Sequence, residues 1–234
     1  MQRDLRFVWS IRVLKWATVI LILKVLVGIL VNYADYFPPN FEAEFLLGRE
    51  DYFFGFYCLA FYVHIVVTPL ALVSGLVLLS DGFRRRFPTK HRWIGRLHVT
   101  GLLTLLVPSS LWMSAYANGG GVASAGFALL SLATAACAGM GWRRARERDF
   151  KKHRFWMSRC FVMLCSAVVL RLISGAAMAI GFESEWTYPI TAWAAWIVPL
   201  CVLELIERQM ALASFPFKNI GKRQNGDLPG NTRG

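Results

Sequence analysis

Apolar residues run along the chain in six long blocks, at about 13–34, 54–80, 93–117, 122–141, 155–180 and 187–206. A bilayer core takes roughly 20 apolar residues per helix, so the pattern predicts six membrane-spanning helices. The polar stretches between them are short. Residues 35–53 hold Pro38, Pro39 and five acids and read as an acidic external loop. Asn118-Gly119-Gly120-Gly121 reads as a tight turn, its glycines supplying left-handed conformations. Glu183-Ser184-Glu185 is a short external turn. From Phe215 onward the chain is polar and rich in Gly, Asn and Lys, the composition of a disordered tail.

Blocks two–three and four–five repeat one unit: a descending helix, a basic loop, a His-Arg pair and an ascending helix. Lys90-His91-Arg92-Trp93-Ile94-Gly95-Arg96-Leu97-His98 returns, altered, as Lys152-His153-Arg154-Phe155-Trp156-Met157-Ser158-Arg159. The expected fold class is therefore all-α: a polytopic membrane protein with a four-helix bundle built from two parallel hairpin repeats plus two flanking helices. The expected organisation is 1–53 for leader, first span and external loop, and 54–180 for the four-helix core. The sixth span follows at 181–214 and a disordered cytoplasmic tail at 215–234. Block four is built of small residues (Ala123, Ala125, Gly126, Ala128, Ala135, Gly139), which let backbones approach closely in lipid.

Composition agrees and charge adds an orientation. Of 234 residues 56% are hydrophobic, too many for an ordinary soluble domain. The net charge of +12 sits in short loops rather than on one face, so it signals topology and not nucleic-acid binding. Twenty-two of the 26 basic residues lie on the side of the N-terminus, and only Arg49 lies opposite, with seven acids. The positive-inside bias then puts both termini in the cytoplasm, with anionic lipid headgroups as partners of the basic loops. The first block is too long for a signal peptide, holds Lys24 and lacks a convincing small-residue cleavage site. All five cysteines fall within the expected helices, with neither a disulfide framework nor a CxxC pair.

Candidate chemistry falls at two depths. At the cytoplasmic level stand His91, His98 and His153 with Arg92, Arg96, Arg154 and Arg159. One reading is a b-type haem, its iron held by His98 or His91 from span three and His153 from span five. The other is an interfacial anchor for lipid phosphate and helix ends. Deeper, Lys24, His64 and Arg171 all fall about 14–15 Å below the external surface at 1.5 Å per residue. Charges there cost about 2.5–3.5 kcal/mol each on the insertion scale, and no acid lies at that depth. Either these groups are satisfied structurally or they line a cationic cavity for a small anionic ligand. Pro69 and Pro108 each free a carbonyl one turn earlier, at Ile65 and Thr104.

His64, the His91-Arg92…Gly95-Arg96 stretch, the His153-Arg154…Trp156-Met157…Arg159 stretch and Arg171-Leu172 together resemble a bacterial multi-pass family, a predicted membrane protein with domain of unknown function 2306. The resemblance covers roughly residues 55–180 and implies a membrane fold with no assigned activity. It also implies an aromatic residue where this chain has His98. A looser likeness to cytochrome b561-type four-helix bundles implies two histidine pairs at two depths, a pattern His64 does not complete. The sequence thus favours an inner-membrane protein of the bacterial plasma membrane enclosing a polar cationic cavity, with His64, His91, His98, His153, Arg96, Arg159, Arg171 and Lys24 as its binding residues. The alternatives are a haem-dependent membrane oxidoreductase, with haem b on His98 and His153, and a small-molecule transporter or assembly subunit. The repeats are parallel, without the inverted, broken helices common in transporters.

Overall fold

A computed structural model describes residues 2–43, 45–182 and 184–213; the tail from Phe215 lies outside the described residues. Among these the chain is helical, and six helical stretches are long and apolar enough to cross a membrane: Trp16–Asp35, Phe56–Leu79, Pro88–Ser114, Gly120–Arg146, Phe150–Ala179 and Thr187–Leu212. The elements are α1 (Gln2–Val31), followed by a 3-10 turn (Asn32–Asp35), α2 (Glu50–Phe53), α3 (Phe56–Leu79), α4 (Asp81–Arg86) and α5 (Pro88–Gly101). A π-helical segment (Leu102–Leu106) joins α5 to α6 (Val107–Ser114); then come α7 (Gly120–Arg146), α8 (Phe150–Leu164), α9 (Ser166–Ala179) and α10 (Thr187–Ala213).

Toward the basic segments several helices run past their apolar blocks: α5 begins at Pro88 rather than 93, α7 ends at Arg146 rather than 141, and α8 begins at Phe150 rather than 155. Pro88 opens α5 in the position where its missing N–H costs nothing, so His91 lies in the first helical turn. At the second repeat α7 continues to Arg146, and the Asp149 carboxylate caps α8 by accepting from the Lys152 amide at 3.1 Å. The basic stretches are thus mostly helix ends. Hydrogen bonding continues past the apolar run until a cap or a proline stops it.

Spans two to five form the four-helix bundle. The α3 helix packs on α5, α6 and α8, and α7 packs on α6 and α8, closing the ring. Buried Leu72, Val99, Leu102, Leu106, Ala138, Cys160 and Met163 fill its centre, with Ile22 and Leu26 of α1 added from outside. Small residues set the separations. A Cβ on Gly75 would stand 2.7 Å from the Phe161 ring, and one on Gly126 would stand 3.0 Å from Trp193 Nε1. Span five breaks at Cys165. Below the break α8 lies along α7; above it α9 packs against α1. By its contacts the chain divides after Leu200 into two units.

The loop between α1 and α3 is a folded cap. Leu46, Phe53, Tyr57, Phe61 and Ile65 are buried together, with Tyr36, Phe41 and Phe45 packed around them. Asp35, Glu42, Glu50 and Asp51 point outward from it. This end of the molecule is called the acidic end below, and the end carrying the 80–92 and 143–154 segments the basic end.

Candidate functional site

Two serine–histidine hydrogen bonds stitch span two to span three. Ser110 Oγ stands 3.1 Å from His64 Nδ1, and Ser74 Oγ stands 2.8 Å from His98 Nδ1. Each serine has one proton. Ser110 gives it to the Leu106 carbonyl at 2.7 Å, and Ser74 gives it to that of Leu70 at 2.7 Å. With the serine proton on the carbonyl, the histidine is the donor in each pair: Nδ1 carries the hydrogen and, in the neutral ring, Nε2 carries the lone pair. His153 reaches the same state by another route, donating from Nδ1 to the Gly141 carbonyl at 2.8 Å. Three of the four rings are therefore oriented through Nδ1 and present Nε2, as metal-binding and acid–base histidines commonly do.

The pairs fall at two depths because α3 and span three are antiparallel. His64 and Ser74 are ten residues apart on one helix, about 15 Å. Their partners are twelve apart on the other, across the π segment. That segment absorbs an extra residue next to Pro108, whose ring cannot sit in an undistorted α-turn.

At the acidic end several polar groups gather around His64. The Arg171 guanidinium of α9 is within electrostatic reach of His64, Tyr33 and Tyr188. Tyr33 donates its hydroxyl proton to the Ile65 carbonyl, the group that Pro69 leaves without its usual partner. Tyr188 of α10 packs on Phe127 at 6.0 Å and also lies within reach of Arg49. Ser114, Ser131 and Thr134 are buried on α6 and α7, their hydroxyls donating to carbonyls of their own helices. Arg171 is exposed, donates to the Ala167 carbonyl at 3.4 Å, and lies within electrostatic reach of His64. Lys24 is exposed as well, about 200° around α1 from the buried Ile22 and Leu26.

At the basic end His91 lies within electrostatic reach of His153 and Arg84, each histidine about one turn into its helix. His98 lies two turns, about 10 Å, deeper than His91, so His98 and His153 do not face each other at one level. The His98 ring is buried, bonded to Ser74, and packed on Gly75 where Phe161 also presses; a macrocycle on His98 requires these groups to separate. Arg159 is buried, donating to the Phe155 carbonyl at 2.8 Å with its guanidinium over the Phe155 ring. Arg96 is exposed over Trp93. A crevice of about 360 Å³ beside α10, lined by Val122, Pro189, Trp193 and Ile197 among others, is apolar and offers nothing to orient a polar ligand.

Sequence reasoning missed Arg49, Tyr33, Tyr188 and Ser74. Arg49 carried a signal: it is the lone basic residue in an acidic loop. The tyrosines carried none, because many aromatic residues sit at span ends as interfacial anchors.

A family described as "predicted membrane protein" (DUF2306) matches residues 61–207, and the chain belongs to it. No curated protein and no solved structure matches the chain.

Proposed function

We propose that this member of the DUF2306 family is an inner-membrane protein that binds a small anionic ligand in the acidic-end half of its bundle. The observation that carries the reading is that His64, hydrogen-bonded to Ser110, lies within electrostatic reach of Arg171, while spans one to five contribute no carboxylate. An anion there accepts charge-assisted hydrogen bonds from the guanidinium, and a protonated acid also donates to His64 Nε2. The orientation that goes with it has both termini in the cytoplasm and anionic headgroups against the basic loops.

The test is mass spectrometry of small acids released when purified protein is denatured. Wild type and Lys24→Leu should release the same acid in stoichiometric amount, and Arg171→Leu should release little. Equal release from all three, or none from wild type, ends the reading. Haem b is the alternative for the basic end, favoured there by the orienting bond of His153 to Gly141 with His91 within electrostatic reach. A Soret band after haem-replete expression, lost in His153→Ala, would support it; colourless folded protein removes it.

A further inference from the structure

The basic end holds a second polar group, remote from His64. His91 Nδ1 is buried and has no hydrogen-bond partner, whereas buried polar atoms are nearly always paired. Its charged neighbours are His153 and Arg84. Arg84 of α4 also holds the Asp81 carboxylate at 2.9 Å, and Arg154 of α8 grips the same carboxylate. Asp81 therefore fixes one guanidinium from each hairpin repeat close to the His91 turn.

Two imidazoles within electrostatic reach of each other could suggest a transition metal, but the surroundings decide otherwise. A guanidinium lies in the same reach of His91, Lys90 and Arg92 flank it in sequence, and no third ligand completes a metal set among the described residues. A cation would be repelled where an anion is drawn in. A terminal phosphate carries about −1.5 to −2 charge at neutral pH and three acceptor oxygens. Its oxygens accept from Arg84, whose planar fork suits phosphate, and one reaches His91 Nδ1 as ligand entry parts the packing that covers that atom. We propose that the junction of α4, α5 and α8, through His91, Arg84 and Arg154, binds a phosphate monoester. Its source is either a phosphatidic-acid-type headgroup of the adjoining leaflet or a soluble phosphate compound.

The test uses the full chain labelled with ¹⁵N-histidine, whose four side-chain signals are followed by NMR. Inorganic phosphate is titrated into protein in detergent; separately, protein is placed in phosphatidylcholine nanodiscs with and without phosphatidic acid. The His91 signals, assigned by their loss in His91→Gln, should shift saturably while those of His64 and His98 stay in place. Arg84→Gln should weaken the response about tenfold, and exposed Arg85→Gln less than twofold. Saturation by inorganic phosphate identifies a soluble source; a response confined to phosphatidic acid identifies the lipid. Unchanged His64 and His98 signals in each variant verify the fold. No saturable shift with either probe, equal effects of Arg84→Gln and Arg85→Gln, or a Soret band lost in His91→Gln overturns the proposal.

Discussion

At the scale of the residue, Arg49 does the most. It is 3% exposed and donates to the Phe45 carbonyl at 2.7 Å, the Tyr116 carbonyl at 2.9 Å, the Tyr52 and Tyr57 hydroxyls at 3.0 and 3.1 Å, and Asn118 at 3.2 Å. Its guanidinium also lies 4.8 Å from the centre of the Phe45 ring. These bonds tie the cap to the turn between α6 and α7. Hydrogen bonds to a charged group contribute about 1.5–3 kcal/mol each and are not additive. Arg49→Ala should therefore lower stability by at least about 3 kcal/mol, read from unfolding in detergent. Arg49→Lys should fall between, because one ammonium cannot span five acceptors. A loss in Arg49→Ala no larger than that of an exposed residue would show that the cap stands without it.

At the scale of the element, one helix contact and one turn make separable predictions. Gly75 lets α3 and α8 close, so Gly75→Ala forces the Phe161 ring aside and should cost about 1–3 kcal/mol. Gly139→Ala meets nothing within 4 Å and should be neutral or slightly stabilising. Similar unfolding midpoints for the two would refute the packing argument. The turn from α7 to α8 is set by charge. Hydrogen bonds from Arg143 and then Arg144 hold the Glu147 carboxyl below its ordinary value, and the Lys152 amide, then its ammonium, does the same for Asp149. Folded values below unfolded ones mean that this support is present above the ordinary carboxylate range and is lost as pH falls through the folded values. Hydrogen exchange at residues 147–153 should therefore rise as the pH is taken below about 4, after correction for intrinsic rates. Flat protection down to pH 2 would contradict it.

At the scale of the molecule, the two ends differ in how they are built. The acidic end is a packed aromatic cap over a polar layer; the basic end is a set of helix termini joined by Asp81 to Arg84 and Arg154. Thin, positively charged connections belong to the side that is not translocated. Cysteines placed at Arg85 or Arg146 should resist an impermeant thiol reagent in intact cells, and one at Glu42 should react. The reverse pattern inverts the protein in the membrane, and with it the side from which each proposed ligand arrives.

What the sequence by itself determined is what depends on local composition and spacing. Six runs of about 20 apolar residues dictate six spans, loop charge dictates an expected orientation, and the His-Arg repeat marks two like hairpins. Pro69 already implied an unpartnered carbonyl at Ile65, because the ring removes one donor at a fixed offset. That Tyr33 fills it was decided only by the tertiary structure, since the donor comes from another helix 32 residues away. Depth could be counted along each helix, and that count set His64 and Arg171 at one expected level. The face of a helix was not legible: Lys24 shares that depth yet looks outward, because rotation follows from Ile22 and Leu26 seating in the bundle. The same limit hid the serine partners of His64 and His98. An apolar block carries hydrophobic residues all round, so nothing in it says which side will meet a neighbour; only packing between helices, with the π segment adjusting the register, chooses that side.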